Sequence, residues 1–269
     1  MSAFNITLGQ YIPGDTCIHR MDPRTKLLAM VLFILLIFLV NRIELFILPA
    51  ILLLLMFVLA KVPFTYLGSS LKPMRMLLIF MFLINLFFTP GTDVLFSWKF
   101  IRITREAVRQ AVFISIRLVL LISGTSMLTL TTSPLSLTDG LERILSPLKI
   151  FHFPAHELAM MMTIALRFIP TLMEETDRIQ KAQMARGADF ESGNLFARAK
   201  AMIPILVPLF VSAFRRADEL AVAMESRCYH GGEGRTKMTQ LHFHAIDLIA
   251  ILVLSGFLSA CILLQSLLP

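Results

Sequence analysis

LLAMVLFILLIFLV, Leu27–Val40, is an unbroken apolar run. It is somewhat short for a bilayer crossing, which takes about 20 apolar residues over a core of about 30 Å. Asn41-Arg42 then interrupts the pattern, and Ile43–Ala60 resumes it with Glu44 at its edge. Two such runs around a two-residue polar break read as a helical hairpin in a membrane. Working outward, Met76–Phe88 is a third run, broken only by Asn85 and stopped by Thr89-Pro90-Gly91. A fourth extends from about Ala111 to Thr131 and contains Arg117 and several Ser and Thr. A fifth is Ala245–Leu268. The pattern predicts an all-α integral membrane protein with about five transmembrane helices.

The whole-chain composition agrees. Of 269 residues, 57% are apolar and 16% charged, with a mean hydropathy of +0.76. Soluble domains run about 45–50% apolar and about 25% charged, so a soluble enzyme and a disordered chain are both excluded. Lys and Arg number 25 against 18 Asp and Glu. The excess predicts an anionic membrane surface or an acidic protein partner. It does not predict nucleic acid, because no module of that kind is present. Cys17, Cys228 and Cys261 are too far apart for a disulfide framework or a metal spacing. Met1–Gly14 lacks the basic and apolar parts of a cleavable signal, so the first span is expected to direct insertion.

Lys and Arg flanking the spans set the orientation. Arg20, Arg24 and Lys26 precede the first span, and Lys61, Lys72 and Arg75 follow the second. Roughly half of the chain's 25 basic residues lie in Ser133–His244. A cytoplasmic N-terminus with five spans places all three groups in the cytoplasm. Against it, Asp93–Gln110 carries Lys99, Arg102, Arg105 and Arg109 yet falls outside. Arg117 is costly at membrane depth. It either faces a partner or snorkels, or it pairs within the protein.

The division expected is residues 1–132 for about four spans, 133–244 for cytoplasmic coupling helices and 245–269 for the last span. Connections over about 15 residues are seldom without structure. The middle segment predicts a helix over Ser136–Phe151 and two long helices, Ala155–Ala185 and Leu195–Arg227. Each long helix is roughly 45 Å, apolar in its first half and charged in its second. Pro170, Pro204 and Pro208 mark expected kinks.

The two long helices carry a repeat at an offset of 41. Glu174–Gly187 aligns with Arg215–Cys228, matching Asp177 with Asp218, Ile179 with Leu220 and Ala182 with Ala223. Each copy ends in an Arg between small residues: Ala185-Arg186-Gly187 and Ser226-Arg227-Cys228. Read alone, an Arg near a helix end followed by Gly is ordinary capping. Two copies suit a partner with two similar pockets, where each guanidinium holds a carboxylate by two hydrogen bonds.

These residues resemble the paired coupling motifs of the transmembrane T component of energy-coupling factor (ECF) transporters. The stretches Ile18-His19-Arg20-Met21-Asp22-Pro23-Arg24-Thr25-Lys26-Leu27-Leu28 and Met202–Leu209 are similar to that family as well. The resemblance covers nearly the whole chain. The second motif departs from Ala-Arg-Gly at Ser226 and Cys228, which keeps the Arg but loosens the close approach expected there.

The resemblance implies a bacterial plasma-membrane protein with a cytoplasmic coupling module of two long crossing helices. It implies a non-catalytic subunit of an ATP-driven importer for vitamins or metal ions. Ala185, Arg186, Gly187, Ser226, Arg227 and Cys228 would couple to two cytoplasmic ABC-type ATPases, with Asp177 and Asp218 in support. A membrane S component, shared or dedicated, would bind the substrate. No cofactor is expected in this chain, and ATP with Mg would sit in the partners. In agreement, the chain has no Gly-x-x-x-x-Gly-Lys-Ser/Thr loop, since Gly231–Lys237 has the wrong order. The 16 methionines suit repacking surfaces as well as simple membrane filling. His152 and His156 flank Pro154 with no third ligand nearby, so no metal site follows. The contrasting class is a membrane-embedded enzyme built on Arg117, the histidines or the mid-chain acids, or an unrelated membrane scaffold.

Overall fold

A computed structural model describes residues 11–91, 93–98, 101–151, 153–190, 192, 194–231 and 242–267. In chain order the helices are α1 Pro23–Leu39, α2 Ile47–Ala60, α3 Phe64–Leu71, α4 Arg75–Phe88, α5 Arg105–Thr131, α6 Pro134–Leu145, α7 Ala155–Ala185, α8 Leu195–Ser226 and α9 Ala245–Leu267. Short 3-10 turns occupy Ile43–Phe46 and Ser146–Phe151. The strands β1 Val94–Trp98 and β2 Ile101–Thr104 pair antiparallel, with Trp98 opposite Ile101. Two compact units result: Met1–Leu141 with Gln240–Pro269, and Glu142–Thr239.

In the first unit, α5 is central and packs against α1, α2, α3 and α4, while α9 lies on α1. Its buried positions include the small residues Ala107, Ala111, Ser123 and Gly124. Between membrane helices, small residues let backbones approach closely. At Gly124 a Cβ would stand 2.3 Å from Phe33 Cε1 of α1, so only glycine fits. The α5 hydroxyls of Ser115, Ser123, Thr125 and Thr131 donate back to the carbonyl four residues earlier. This satisfies them where water is absent.

Three segments are long and apolar enough to cross a membrane: Ile43–Ala60, Arg105–Thr131 and Ala245–Ser266. The expected third span is the second half of a bent pair. α3 and α4 meet at 64° across a break at residues 72–74, and are apolar enough only as a pair, in the form of a broken span or a re-entrant loop. α1, with 17 residues, reaches about 25 Å.

Two local expectations change. The loop expected over Asp93–Gln110 is instead the β hairpin followed by the first turns of α5, which starts six residues before Ala111. The Thr104 hydroxyl accepts the Ala107 N–H at 3.2 Å, and Glu106 sits in the first turn. Both favour a helix start. Arg105 and Arg109 are therefore helical. The helix expected over Ser136–Phe151 runs from Pro134 to Leu145 and then tightens into the 3-10 turn. Pro134 suits a first helical position, and Pro147 cannot continue an α-helix.

In the second unit α7 and α8 pack on each other. Both remain helical through Pro170 and through Pro204 and Pro208. On α8 the buried or half-buried positions Ala201, Ile205, Leu209, Ser212, Arg216, Leu220 and Met224 recur nearly every four residues and form one face. Met202, Ile203, Leu206, Val207, Phe210, Val211 and Phe214 are exposed on the other side.

Candidate functional site: two capped helix ends

The two motifs have the same backbone construction. α7 ends at Ala185, and Arg186 is its C-cap with φ −87° and ψ 5°. Gly187 follows in the left-handed region at φ +87°. Its N–H donates to Met184 O at 2.9 Å, and the Ala188 N–H donates to Gln183 O at 3.0 Å. That pair of bonds is the Schellman arrangement, which satisfies the last helical carbonyls.

At the second end α8 stops at Ser226, and Arg227 is the C-cap with φ −95° and ψ 16°. Cys228 takes φ +56°. Its N–H donates to Glu225 O at 2.9 Å, and Tyr229 N–H donates to Met224 O at 3.0 Å. The departure from glycine therefore leaves the arrangement intact. It puts a side chain into a conformation that L residues seldom adopt.

Ala185, Arg186, Gly187, Ser226, Arg227 and Cys228 are all exposed. Among the described residues neither Arg186 nor Arg227 has an ion-pair partner. Each arginine is exposed at a capped helix end. Asp177 makes an ion pair with Lys181 one turn on, at 2.6 Å, and does not reach Arg186. Asp218 is exposed. The two acids align in sequence but share no contact role.

Comparison with known proteins identifies the family. A family model described as CbiQ, cobalt transport protein, matches residues 14–238. The energy-coupling factor transporter transmembrane protein EcfT of Clostridium kluyveri is 55% identical over 249 residues, 92% of each chain. The EcfT of Acidaminococcus fermentans is 54% identical over 94% of this chain and 97% of its own. That of Bacillus subtilis is 48% identical over the same shares. This chain belongs to the ECF transporter transmembrane (T component) family.

In this T component the N-terminal stretch, which the sequence left without a role, is a buried clasp. Asp22 caps α1 by accepting the Arg24 N–H at 2.9 Å. Its own N–H donates to Asp247 Oδ1 of α9 at 2.9 Å. Asp247, 1% exposed, also accepts the His244 N–H at 2.7 Å. Lys26, 6% exposed, donates to His19 O at 3.1 Å and to Thr131 O, the last residue of α5, at 2.9 Å. His19 Nε2 donates to Ile12 O at 3.1 Å, and Nδ1 accepts the Thr16 hydroxyl at 2.7 Å. Burial, then the nearby Lys26 charge, pushes its imidazole below the ordinary value, which keeps it neutral for both bonds.

The clasp brings the start of α1, the end of α5 and the start of α9 together. About five spans were expected; among the described residues three helices qualify, or four if the bent α3–α4 pair is one span, and α1, at 17 residues, is not one of them.

Arg117 is tied inside the protein. It donates to Val40 O, at the end of α1, at 2.7 Å. Its guanidinium lies 4.6 Å from the Phe113 ring centroid and 5.6 Å from that of Phe38. This is the intraprotein alternative, with cation–π contacts taking part of the cost of burial. His156 Nδ1 sits 3.0 Å from Glu142 Oε1, while His152 and the glycine cluster from Gly232 to Lys237 lie outside the described residues.

Proposed function

We propose that this chain is the coupling subunit of an ATP-driven ECF importer. Two cytoplasmic ABC-type ATPases bind and hydrolyse ATP with Mg. One receives Arg186 and the other Arg227. The chain hands their motion to a membrane S component that binds a vitamin or other micronutrient. In this reading the chain itself carries no cofactor and catalyses nothing. The bearing membrane is the bacterial plasma membrane, with Ser133–His244 on the cytoplasmic side, where positive flanks accumulate.

The observation that carries this reading is the pair of identically capped, exposed arginine ends on a repeat of 41 residues. Two equivalent tips call for two equivalent pockets, and Arg favours planar carboxylates. The exposed apolar side of α8, Met202 to Phe214, supplies a second surface for a membrane partner or lipid.

The test is co-purification in mild detergent with the two ATPases, comparing the parent with Arg186→Glu, Arg227→Glu and both together. Removing one partner of a desolvated charged contact costs about 2–5 kcal/mol, and an exposed one under about 1. The double variant is expected to lose both ATPases. Assembly and ATP-driven uptake at parental levels would overturn the proposal.

A further inference from the structure

The contact between α7 and α8 contains an unusual coincidence. Arg216 donates to Glu175 Oε2 at 3.1 Å, and these residues are 41 apart. That is the offset of the repeat, so the two side chains are each other's repeat mates. In a pair related by a two-fold, a position meets its own equivalent only at the axis. The Glu175–Arg216 contact thus marks a local two-fold between the helices. Identical residues there would place like charges together. Glu on one copy and Arg on the other turn the same position into an attraction.

The distances along the chain are equal as well. Arg186 lies eleven residues beyond Glu175, and Arg227 eleven beyond Arg216. Each arm is about 16 Å. The arms cannot run parallel. Parallel arms would separate Ala185 from Leu195 by about 45 Å, and the ten peptide steps between them reach at most about 36 Å. At a right angle or wider, arms of this length set the tips about 23–33 Å apart.

The pair is only partly solvated, at 34% for the Arg216 side chain and 24% for that of Glu175. Arg216 belongs to the packed face of α8 rather than to its exposed side. The neighbouring Ser212 hydroxyl, and then Arg216, hold the Glu175 carboxyl below the ordinary carboxylate value, so it stays charged at neutral pH. Ser212 acts here by proximity, because its Oγ closes no hydrogen bond of standard geometry.

We propose that Glu175 and Arg216 are a positioning pair that fixes the register of the α7–α8 contact and so sets the spacing of the two arginine tips. Slipping one helix by a turn moves its tip about 5.4 Å, enough to take one arginine out of a pocket while the other remains seated. The proposal rests on the docking reading of the tips for its purpose. Its test does not, because no ATPase is needed.

The experiment is pulsed electron–electron resonance on the full chain in detergent. One spin label sits on the native exposed Cys228 and one on Ala185→Cys, with Cys17→Ser removing the other exposed thiol and the buried Cys261 left in place. The parent is expected to give one narrow distance distribution. E175R and R216E, which create like-charge pairs, are expected to broaden it or displace it by about one turn, about 5 Å. The double swap E175R/R216E is expected to restore it. E175Q and R216Q report the same quantity if a like-charge variant fails to fold. Single and neutral variants that match the parent, or a swap that stays as broad as the singles, overturn the proposal. A helix-stability role alone would not produce recovery on exchanging the charges.

Discussion

Replacing Gly187 with Ala isolates the backbone contribution to the first tip. Gly187 has φ +87°, and a Cβ added there would meet nothing within 4 Å. Steric crowding is therefore absent, and only the backbone conformation is penalised. The left-handed region costs an L residue about 1–2 kcal/mol. Losing glycine's freedom in the unfolded chain returns about 0.4–1 kcal/mol. The net destabilisation lies within about 0–1.6 kcal/mol and is centred on about 0.8 kcal/mol, or roughly fourfold in local opening. The bonds at stake are Gly187 N–H to Met184 O and Ala188 N–H to Gln183 O. Hydrogen exchange by mass spectrometry over residues 183–188 reads that opening directly. Exchange should accelerate there by roughly fourfold, while the Cys228 end stays at the parental rate. Cys228→Gly should act in reverse, slowing exchange at Cys228 and Tyr229, because φ +56° is open to glycine. Unchanged or slower exchange in Gly187→Ala would refute the idea that the left-handed cap holds the tip.

Two further variants probe the membrane unit. Gly124→Ala drives a Cβ to 2.3 Å from Phe33 Cε1, and Phe33 is only 3% exposed, so α1 and α5 must separate. Overpacking of this kind costs about 1–3 kcal/mol, seen as a fall of several degrees in the thermal midpoint, while Gly256→Ala, whose Cβ meets nothing within 4 Å, is the matched control. Asp247→Ala leaves the Asp22 and His244 N–H groups without their acceptor and should cost about 2–4 kcal/mol. Asp247→Asn, which keeps an acceptor oxygen, should fall between, and a parental midpoint for Asp247→Ala would dismiss the clasp.

Much of the fold was legible in the residues because membrane helices are written in composition. Leu27–Val40, Ile43–Ala60 and Ala245–Leu268 declare themselves through long apolar runs, unbroken in the first and interrupted only by isolated polar residues in the others. The repeat at 41, with its two arginines, is likewise a property of the chain alone. The short elements were not legible. Asp93–Gln110 looks like a charged loop because its strands are brief and its helix start depends on one hydroxyl, that of Thr104. Nor was the 64° bend between α3 and α4 at residues 72–74 legible.

Arg117 shows the limit most plainly. Its residue type and depth favoured snorkelling or an internal pair over a partner-facing role, and the positions of Val40 O and the Phe38 ring, far away in sequence, decided it together with Phe113 one turn earlier on α5. The Asp22–Lys26 segment is similar, since Thr131 and Asp247 become its partners through folding. Composition and periodicity act along the chain, so the sequence by itself determined the membrane class, the main apolar segments and the two arginine motifs. Hydrogen-bond satisfaction acts through space. It took the tertiary structure to decide that the start of α1 meets the end of α5 and the start of α9, that Cys228 adopts the glycine conformation, and that Glu175 meets its own repeat mate.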